Sequence, residues 1–172
     1  MDIVLVLNNV RSVYNVGSVF RTCDAAGVSK IYLVGVTPTP LDRFGKFRAD
    51  FAKVALGAEK TVEWEHFKSF REVYKKLKSE GCEILAVEQD KRSIPYYTFG
   101  RPSKSVVQKI ALAPQGTRDK YALIFGEETK GLPKSVLDKC DQILEIPMRG
   151  EKESLNVSVA AGIVVYNLLV ER

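Results

Sequence analysis

Histidine is almost absent from the chain. Its 172 residues hold one, His66, within Val-Glu-Trp-Glu-His-Phe at a predicted strand-to-helix junction. No second ligand or nucleophile stands beside it, so its plain reading is a capping or surface residue, and histidine-based catalysis is short of supply. Cysteine is scarce too. Cys23, Cys82 and Cys140 are odd in number, far apart and outside any CxxC pair, which excludes zinc and redox motifs of that kind and predicts reduced core thiols. No apolar run nears the roughly 18 residues of a membrane-spanning helix. The opening MDIVLVLNNV lacks a basic region ahead of its apolar stretch, which argues against a secretory leader. These absences predict a cytoplasmic protein with no membrane partner and no metal. GxGxxG after a strand, GxxxxGK[ST] and GxSxG are missing as well, which removes the dinucleotide, P-loop and serine-hydrolase readings.

What is present is ordinary in amount and informative in order. Apolar residues make up 45% and charged residues 27%, values of a globular chain with a core of its own. The length predicts one domain over residues 1–172. Net charge is +5, a mild excess compatible with a polyanion. Arg43, Lys46, Arg48, Lys53 and Lys60 fall in one stretch, which Pro38, Pro40 and Gly45 mark as a loop suited to phosphate contact. Lys68, Arg71, Lys75, Lys76 and Lys78 fall in the next and read equally well as the solvated face of a helix with the stripe Phe67, Phe70, Tyr74 and Leu77.

Strands are predicted at 3–7, 31–36, 61–64, 84–87, 122–125 and 143–146. They are rich in Ile, Val and Leu and mostly continuous, as in strands covered on both faces. Helices are predicted at 15–27, 49–57, 67–80, 103–111, 133–139 and 154–170. The alternation gives an α/β class with a mostly parallel sheet flanked by helices. The stretch 89–103, with Pro95, Pro102, Tyr96, Tyr97 and Phe99, is the longest irregular one. Loops of that length in a compact domain are often functional.

The last helix has two apolar faces. Leu155, Val159, Ile163, Tyr166 and Val170 share one, and Val157, Ala161, Val164 and Leu168 make the other. One sheet cannot cover both, so a homodimer with this helix near the two-fold axis is predicted.

Three polar, glycine-bearing segments lie where strands give way to loops, the edge at which open parallel sheets bind ligands. In the first, residues 8–28, Asn15 is a plausible N-cap, and Val16, Val19, Phe20 and Cys23 form a buried stripe. Gly17, Arg21 and Asp24 share another face. Arg21 is suited to hold a phosphate or carboxylate; an ion pair with Asp24 is the simpler reading. In the second, residues 122–133, Gly126 and Gly131 permit close ligand approach, and Glu127 and Glu128 lie in the turn. In the third, residues 146–162, Ser154 could cap the last helix, and Asn156 offers both a donor and an acceptor.

At these segments the chain resembles the SpoU/TrmH branch of the SPOUT superfamily, whose members are S-adenosylmethionine-dependent RNA ribose 2′-O-methyltransferases. The matches are N-V-G-S-V-F-R-T-C-D-A-A-G, F-G-E-E-T-K-G-L-P and I-P-M-R-G-E-K-E-S-L-N-V-S-V-A, in order, spanning residue 8 to about residue 165. The resemblance implies a C-terminal deep trefoil knot, an exception to the rule against threaded chains, and an obligate dimer with its sites at the interface. It implies S-adenosylmethionine as cofactor, cradled around Val87, Gly126, Ile146, Met148, Ser154 and Leu155. Asn15, Arg21, Glu128, Ser154 and Asn156 match the family's active-site residues. Arg21 is the group proposed there to activate the ribose hydroxyl; because arginine stays protonated in proteins, phosphate anchoring and alkoxide stabilisation fit it better. Arg11, Arg43, Lys46, Arg48 and Lys53 are the candidate RNA contacts, and a tRNA or rRNA is the implied substrate. Two other readings stand beside this one: a SPOUT enzyme that methylates a base, and an RNA-binding or assembly factor that keeps the fold without turnover.

Overall fold

The computed structural model describes residues 1–99 and 120–170. The predicted helix at 103–111 and the end of the 89–103 stretch lie outside the described residues. Seven strands form one sheet in the order β3-β2-β1-β6-β4-β7-β5, with every pairing parallel. They are β1 (Asp2–Asn8), β2 (Lys30–Val34), β3 (Glu63–Phe67), β4 (Glu83–Val87), β5 (Ile94–Pro95), β6 (Lys120–Phe125) and β7 (Gln142–Glu145). The described α-helices are α1 (Val13–Ala26), α2 (Ala49–Ala55), α3 (Ala58–Thr61), α4 (Phe70–Ser79), α5 (Lys134–Leu137) and α6 (Val157–Val170).

Period-two alternation divides the apolar side chains between two cores. Ile3, Leu5, Leu7, Leu123 and Phe125 point to the face covered by α1, α2 and α6, where they meet Phe20, Phe51 and Val164. Val4, Val6, Ala122 and Ile124 point to the other, where α4 and α5 supply Val73, Leu77, Val136 and Leu137. Each fully buried Leu, Ile or Phe stabilises by roughly 1.5–3 kcal/mol, which explains why the central strands read as unbroken apolar runs. The buried stripe of α1 is Val16, Val19, Phe20 and Cys23, together with Gly17. Gly17 therefore does not share a solvent face with Arg21, because α2 packs against it. The three thiols are free, and burial pushes all of them up.

Several boundaries move for local reasons. The helix predicted at 49–57 is broken, because Leu56 and Gly57 both adopt left-handed backbone, φ 53° and 101°; α3 starts afresh beyond them. Strand β2 stops at Val34, before Gly35. Strand β3 is shifted later than predicted and includes Phe67, so the apolar stripe of α4 is Phe70, Val73 and Leu77. β3 is an edge strand of charged and half-buried residues, a composition that discourages pairing with another chain. His66 lies on it, exposed, with Nε2 2.9 Å from the carbonyl oxygen of Gly35. The 89–99 stretch contributes the short β5 and a 3₁₀ turn, Tyr96–Thr98, which sequence alone does not predict. Tyr96 and Phe99 pack on the α6 side of the core.

The terminal helix divides as its periodicity predicts. Val157, Ala161, Val164 and Leu168 are buried, whereas Val159, Tyr166 and Val170 are 49%, 45% and 77% exposed. Among the described residues, no helix is long and apolar enough to cross a membrane.

Candidate active site

Strands β1 and β6 are neighbours, but the chain leaves them in opposite directions, from β1 to β2 on one side and from β6 to β7 on the other. Their carboxyl ends therefore frame a crevice at a topological switch point, the place where open α/β sheets bind ligands. Two turns meet across it. The first leads into α1, which is capped by Ser12: its Oγ accepts from the backbone N–H of Asn15 at 3.3 Å. Asn15 is not the cap, because Ser12 stands one turn ahead and takes that position. Freed from capping, the Asn15 amide donates from Nδ2 to Glu128 Oε1 at 2.9 Å. The second turn carries Glu128, whose carboxylate also accepts from the backbone N–H groups of Arg11 and Ser12, each at 3.2 Å. Desolvation works to raise the Glu128 carboxyl, but these donors outweigh it and hold it below its ordinary range.

A third segment joins the same cluster. Asn156 Nδ2 donates to Asn15 Oδ1 at 3.0 Å, and Asn156 Oδ1 accepts from Ser158 N–H at 2.9 Å. Asn156, not Ser154, thus caps α6, and the helix begins at Val157 rather than at 154. Asn15, Glu128 and Asn156 form a connected polar chain built from all three motif segments.

Beside it lies a pocket of about 350 Å³ over the ends of β4, β6 and β7. Its lining includes Val87, Gly126, Ile146, Met148, Ser154 and Leu155, all six residues predicted to cradle the cofactor, and Glu128. The apolar wall is completed by Phe125 and Val157, while Glu88, Glu127 and Glu153 add carboxylates against Lys130. Among the described residues, no cluster of three or more His, Cys, Asp or Glu side chains is arranged to hold a metal.

The pocket rim is fixed by a clamp that the sequence reading did not single out. Glu88 follows β4; its Oε2 accepts from Leu132 N–H at 2.8 Å and its Oε1 from Gln89 N–H at 3.0 Å. Gly131, at φ +63°, lies so close over this carboxylate that a Cβ there would fall 2.1 Å from Glu88 Oε2. A Cβ on Gly126 would likewise fall 2.5 Å from the carbonyl carbon of Gly131. The two glycines let the turn fold onto itself, and Glu88 ties it to β4. Gln89 ties β4 to the third segment, donating from Nε2 to the Glu153 carbonyl at 2.5 Å. The signal was present in the sequence, since Glu88 directly follows a strand on the ligand edge.

The remaining candidates lie apart from this cluster. Arg21 is exposed on α1, about 9 Å further along the helix than Asn15 and turned from it by about 120°. It makes no ion pair with Asp24, whose carboxylate accepts instead from Thr61 Oγ1 at 2.6 Å. Arg11 reaches Glu127, Nε to Oε1 3.4 Å. Arg48 is engaged by Asp50, with guanidinium–carboxylate distances of 2.7 and 3.1 Å. Arg43, Lys46 and Lys53 are exposed, and among the described residues none of them makes an ion pair.

These features define a class: an α/β protein with a pocket of small-molecule size in loops at the carboxyl edge of a parallel sheet, without a phosphate-cradling glycine motif. The model of the SpoU rRNA Methylase family matches residues 2–166, and the chain belongs to that family. It is 29% identical over 170 residues to the 23S rRNA (guanosine-2′-O-)-methyltransferase RlmB of Vibrio parahaemolyticus, covering 99% of this chain and 60% of that protein. The chain thus spans about 60% of the length of the curated relatives it matches. Among solved structures it resembles the A. aeolicus TrmH/SpoU tRNA modifying enzyme, with a TM-score of 0.74 and 25% identity over 96% of this chain and 73% of that one. It also shares the fold of the Streptomyces viridochromogenes SpoU methyltransferase AviRb in complex with AdoMet, with a TM-score of 0.78 and 20% identity over 99% and 60% of the two chains.

Proposed function

We propose that the chain is an S-adenosylmethionine-dependent RNA ribose 2′-O-methyltransferase acting on tRNA or rRNA. The observation that carries this reading is the Asn15–Glu128–Asn156 chain at the rim of a pocket lined by the six cofactor candidates. The pocket suits the cofactor in kind. Its volume falls in the ~300–1,000 Å³ range of small-molecule sites, one part of its wall is apolar, and its carboxylates favour a ligand with a cationic end. When bound, S-adenosylmethionine supplies the methyl group from its sulfonium.

The chain's own residues have four tasks. Val87, Phe125, Ile146 and Leu155 exclude water and pack on the faces of an aromatic ring. Gly126, Met148 and Ser154 hold polar edges close to the backbone. Glu128, which accepts from Arg11, Ser12 and Asn15, fixes Asn15 and through it Asn156, and these amides orient the attacking ribose hydroxyl. Arg21 anchors a phosphate and stabilises the developing alkoxide with a charge it does not lose.

Arg21 cannot join Asn15 within one chain, and the dimer resolves this. Two copies pair through the exposed stripe Val159, Tyr166 and Val170 of α6, an isologous contact. The neighbouring face of α1, with Tyr14 62% exposed, then brings Arg21 to the other copy's crevice. The rest of the reading is a single cytoplasmic catalytic domain with a C-terminal trefoil knot and RNA contacts at Arg11 before α1, at Arg43 and Lys46 before α2 and at Lys53 on α2; Arg48, held by Asp50, stands at the base of the loop that carries Arg43 and Lys46.

The test is transfer of labelled methyl from S-adenosylmethionine to total RNA of cells lacking this gene, with nucleotide mapping. A ribose-methylated nucleotide is expected. A base-methylated product would replace the ribose assignment. Cofactor binding without incorporation into any RNA would favour the non-catalytic reading.

A further inference from the structure

The segment between β2 and α2 folds into a small rigid finger. Leu41 and Phe47 form an antiparallel bridge at its base, braced by Asp42 N–H to the Lys46 carbonyl at 2.8 Å and Arg48 N–H to the Pro40 carbonyl at 2.9 Å. At the tip, Asp42 Oδ1 accepts from the N–H groups of Phe44 and Lys46 at 2.8 and 3.0 Å. This frame spends its hydrogen bonds on presenting an apolar ring to water, because Phe44 is 71% exposed and Phe47 49%. The Arg43 guanidinium lies 4.7 Å from the Phe44 centroid, and Lys60 Nζ 5.7 Å from that of Phe47.

The charge around the finger is positive in excess, and its carboxylates are engaged locally. Asp42 is occupied inside the turn, Asp50 is paired with Arg48, and the buried Glu59 accepts from Gly57 N–H. Arg43, Lys46, Lys53 and Lys60 are left without carboxylate partners among the described residues. The finger leaves the carboxyl end of β2, on the ligand edge and two strands from β6, about 10 Å across the sheet at the usual strand spacing.

We propose that this finger grips unpaired RNA beside the target nucleotide, with the open face of Phe44 stacking on a splayed base and Arg43, Lys46 and Lys53 holding the flanking phosphates. An open aromatic face among cations is the general platform for single strands, because every base has a π-face. Paired RNA hides those faces and is read by shape and backbone instead. The finger rests on the RNA reading given above and narrows it to a single-stranded segment or loop.

The test measures binding of a labelled single-stranded oligoribonucleotide containing a fluorescent purine, and of its duplex, to the full chain and its variants. Phe44→Ala is expected to weaken single-strand binding about tenfold and abolish stacking quench of the purine, with duplex affinity unchanged. Phe44→Trp is expected to retain both signals. Lys46→Ala should weaken both RNAs and flatten the single-strand salt slope by about 0.7. Unchanged S-adenosylmethionine affinity serves as the folding control. Single-strand binding by Phe44→Ala equal to that of the parent chain would overturn the finger alone. Conversion of a dimer to monomers by Phe44→Ala would overturn it in favour of a protein contact. Absence of binding to either RNA by the parent chain would overturn the RNA reading itself.

Discussion

Asn15 and Arg21 stand on the same helix and meet opposite fates. The Asn15 amide both donates and accepts, to Glu128 and from Asn156. Arg21 has no hydrogen-bond or ion-pair partner among the described residues and points to solvent. The same contrast runs through the molecule. The crevice is cross-linked, its turns tied by Glu128, Glu88 and Gln89, whereas the outer stripes of α1 and α6 leave Tyr14, Tyr166 and Val170 uncovered. A site tied in this way is held in place by one chain before a ligand arrives, with the second N–H of each amide left to meet it. An uncovered apolar stripe beside an unpaired guanidinium is the surface that the proposed dimer would complete.

The sharpest way to break this contrast is to poison the uncovered side. Tyr166→Asp places a charge in the proposed two-fold contact twice over. At about 2 kcal/mol per interfacial hot spot, the dimer dissociation constant should rise roughly a thousandfold. Sedimentation would report monomers that still bind cofactor, because the proposed pocket is lined by one chain, but do not transfer methyl. A variant that remains dimeric would place the interface elsewhere. Arg21→Ala comes next. It should lower kcat by about 10²–10³, the usual cost of one transition-state donor, with cofactor affinity intact. Unchanged turnover would remove Arg21 from the site.

Attacking the cross-linked side should have milder consequences. Glu88→Ala frees the Leu132 N–H and loosens the Gly126–Gly131 turn from β4. Hydrogen bonds to charged groups contribute about 1.5–3 kcal/mol, so cofactor affinity should fall on the order of tenfold with kcat little changed. Calorimetric titration with S-adenosylmethionine reads this directly. Equal affinity in the variant would mean that the turn is held by its glycines alone.

How much of this could be read from the sequence depends on range. The burial of Val16, Val19, Phe20 and Cys23 and the two faces of α6 follow from periodicity, because one helix turn decides them. The class of sheet follows from unbroken apolar strands. The ligand edge was legible from three polar segments at strand ends, but strand order was not, since pairing of β1 with β6 joins segments separated by most of the chain. Caps fell short by one competing residue each: Ser12 displaces Asn15 and Asn156 displaces Ser154. The break at Leu56 and Gly57 was illegible because a leucine rarely adopts left-handed backbone. Nothing local could place Arg21, whose surroundings belong in the proposed dimer to another copy.

The smallest effect concerns Glu128, and its sign is fixed by the geometry. Desolvation opposes ionisation there, yet the Asn15 amide and the backbone donors around it hold the carboxyl below its ordinary value. A carboxyl lowered by folding adds stability above its unfolded-state pKa. That stability is lost as pH falls through the ordinary carboxylate range toward the lowered folded value. Glu128 is exposed, so solvent screening keeps the contribution modest. Glu128→Gln leaves one acceptor oxygen and puts an amide donor where the other faced backbone N–H groups. Its Tm should therefore lie below that of the parent chain near neutrality. The gap should close on acidification, as the parent's own carboxyl takes up a proton. Thermal unfolding across that range checks it: a gap that stays constant with pH would mean that the crevice is held by the shape of its turns and not by the charge of Glu128.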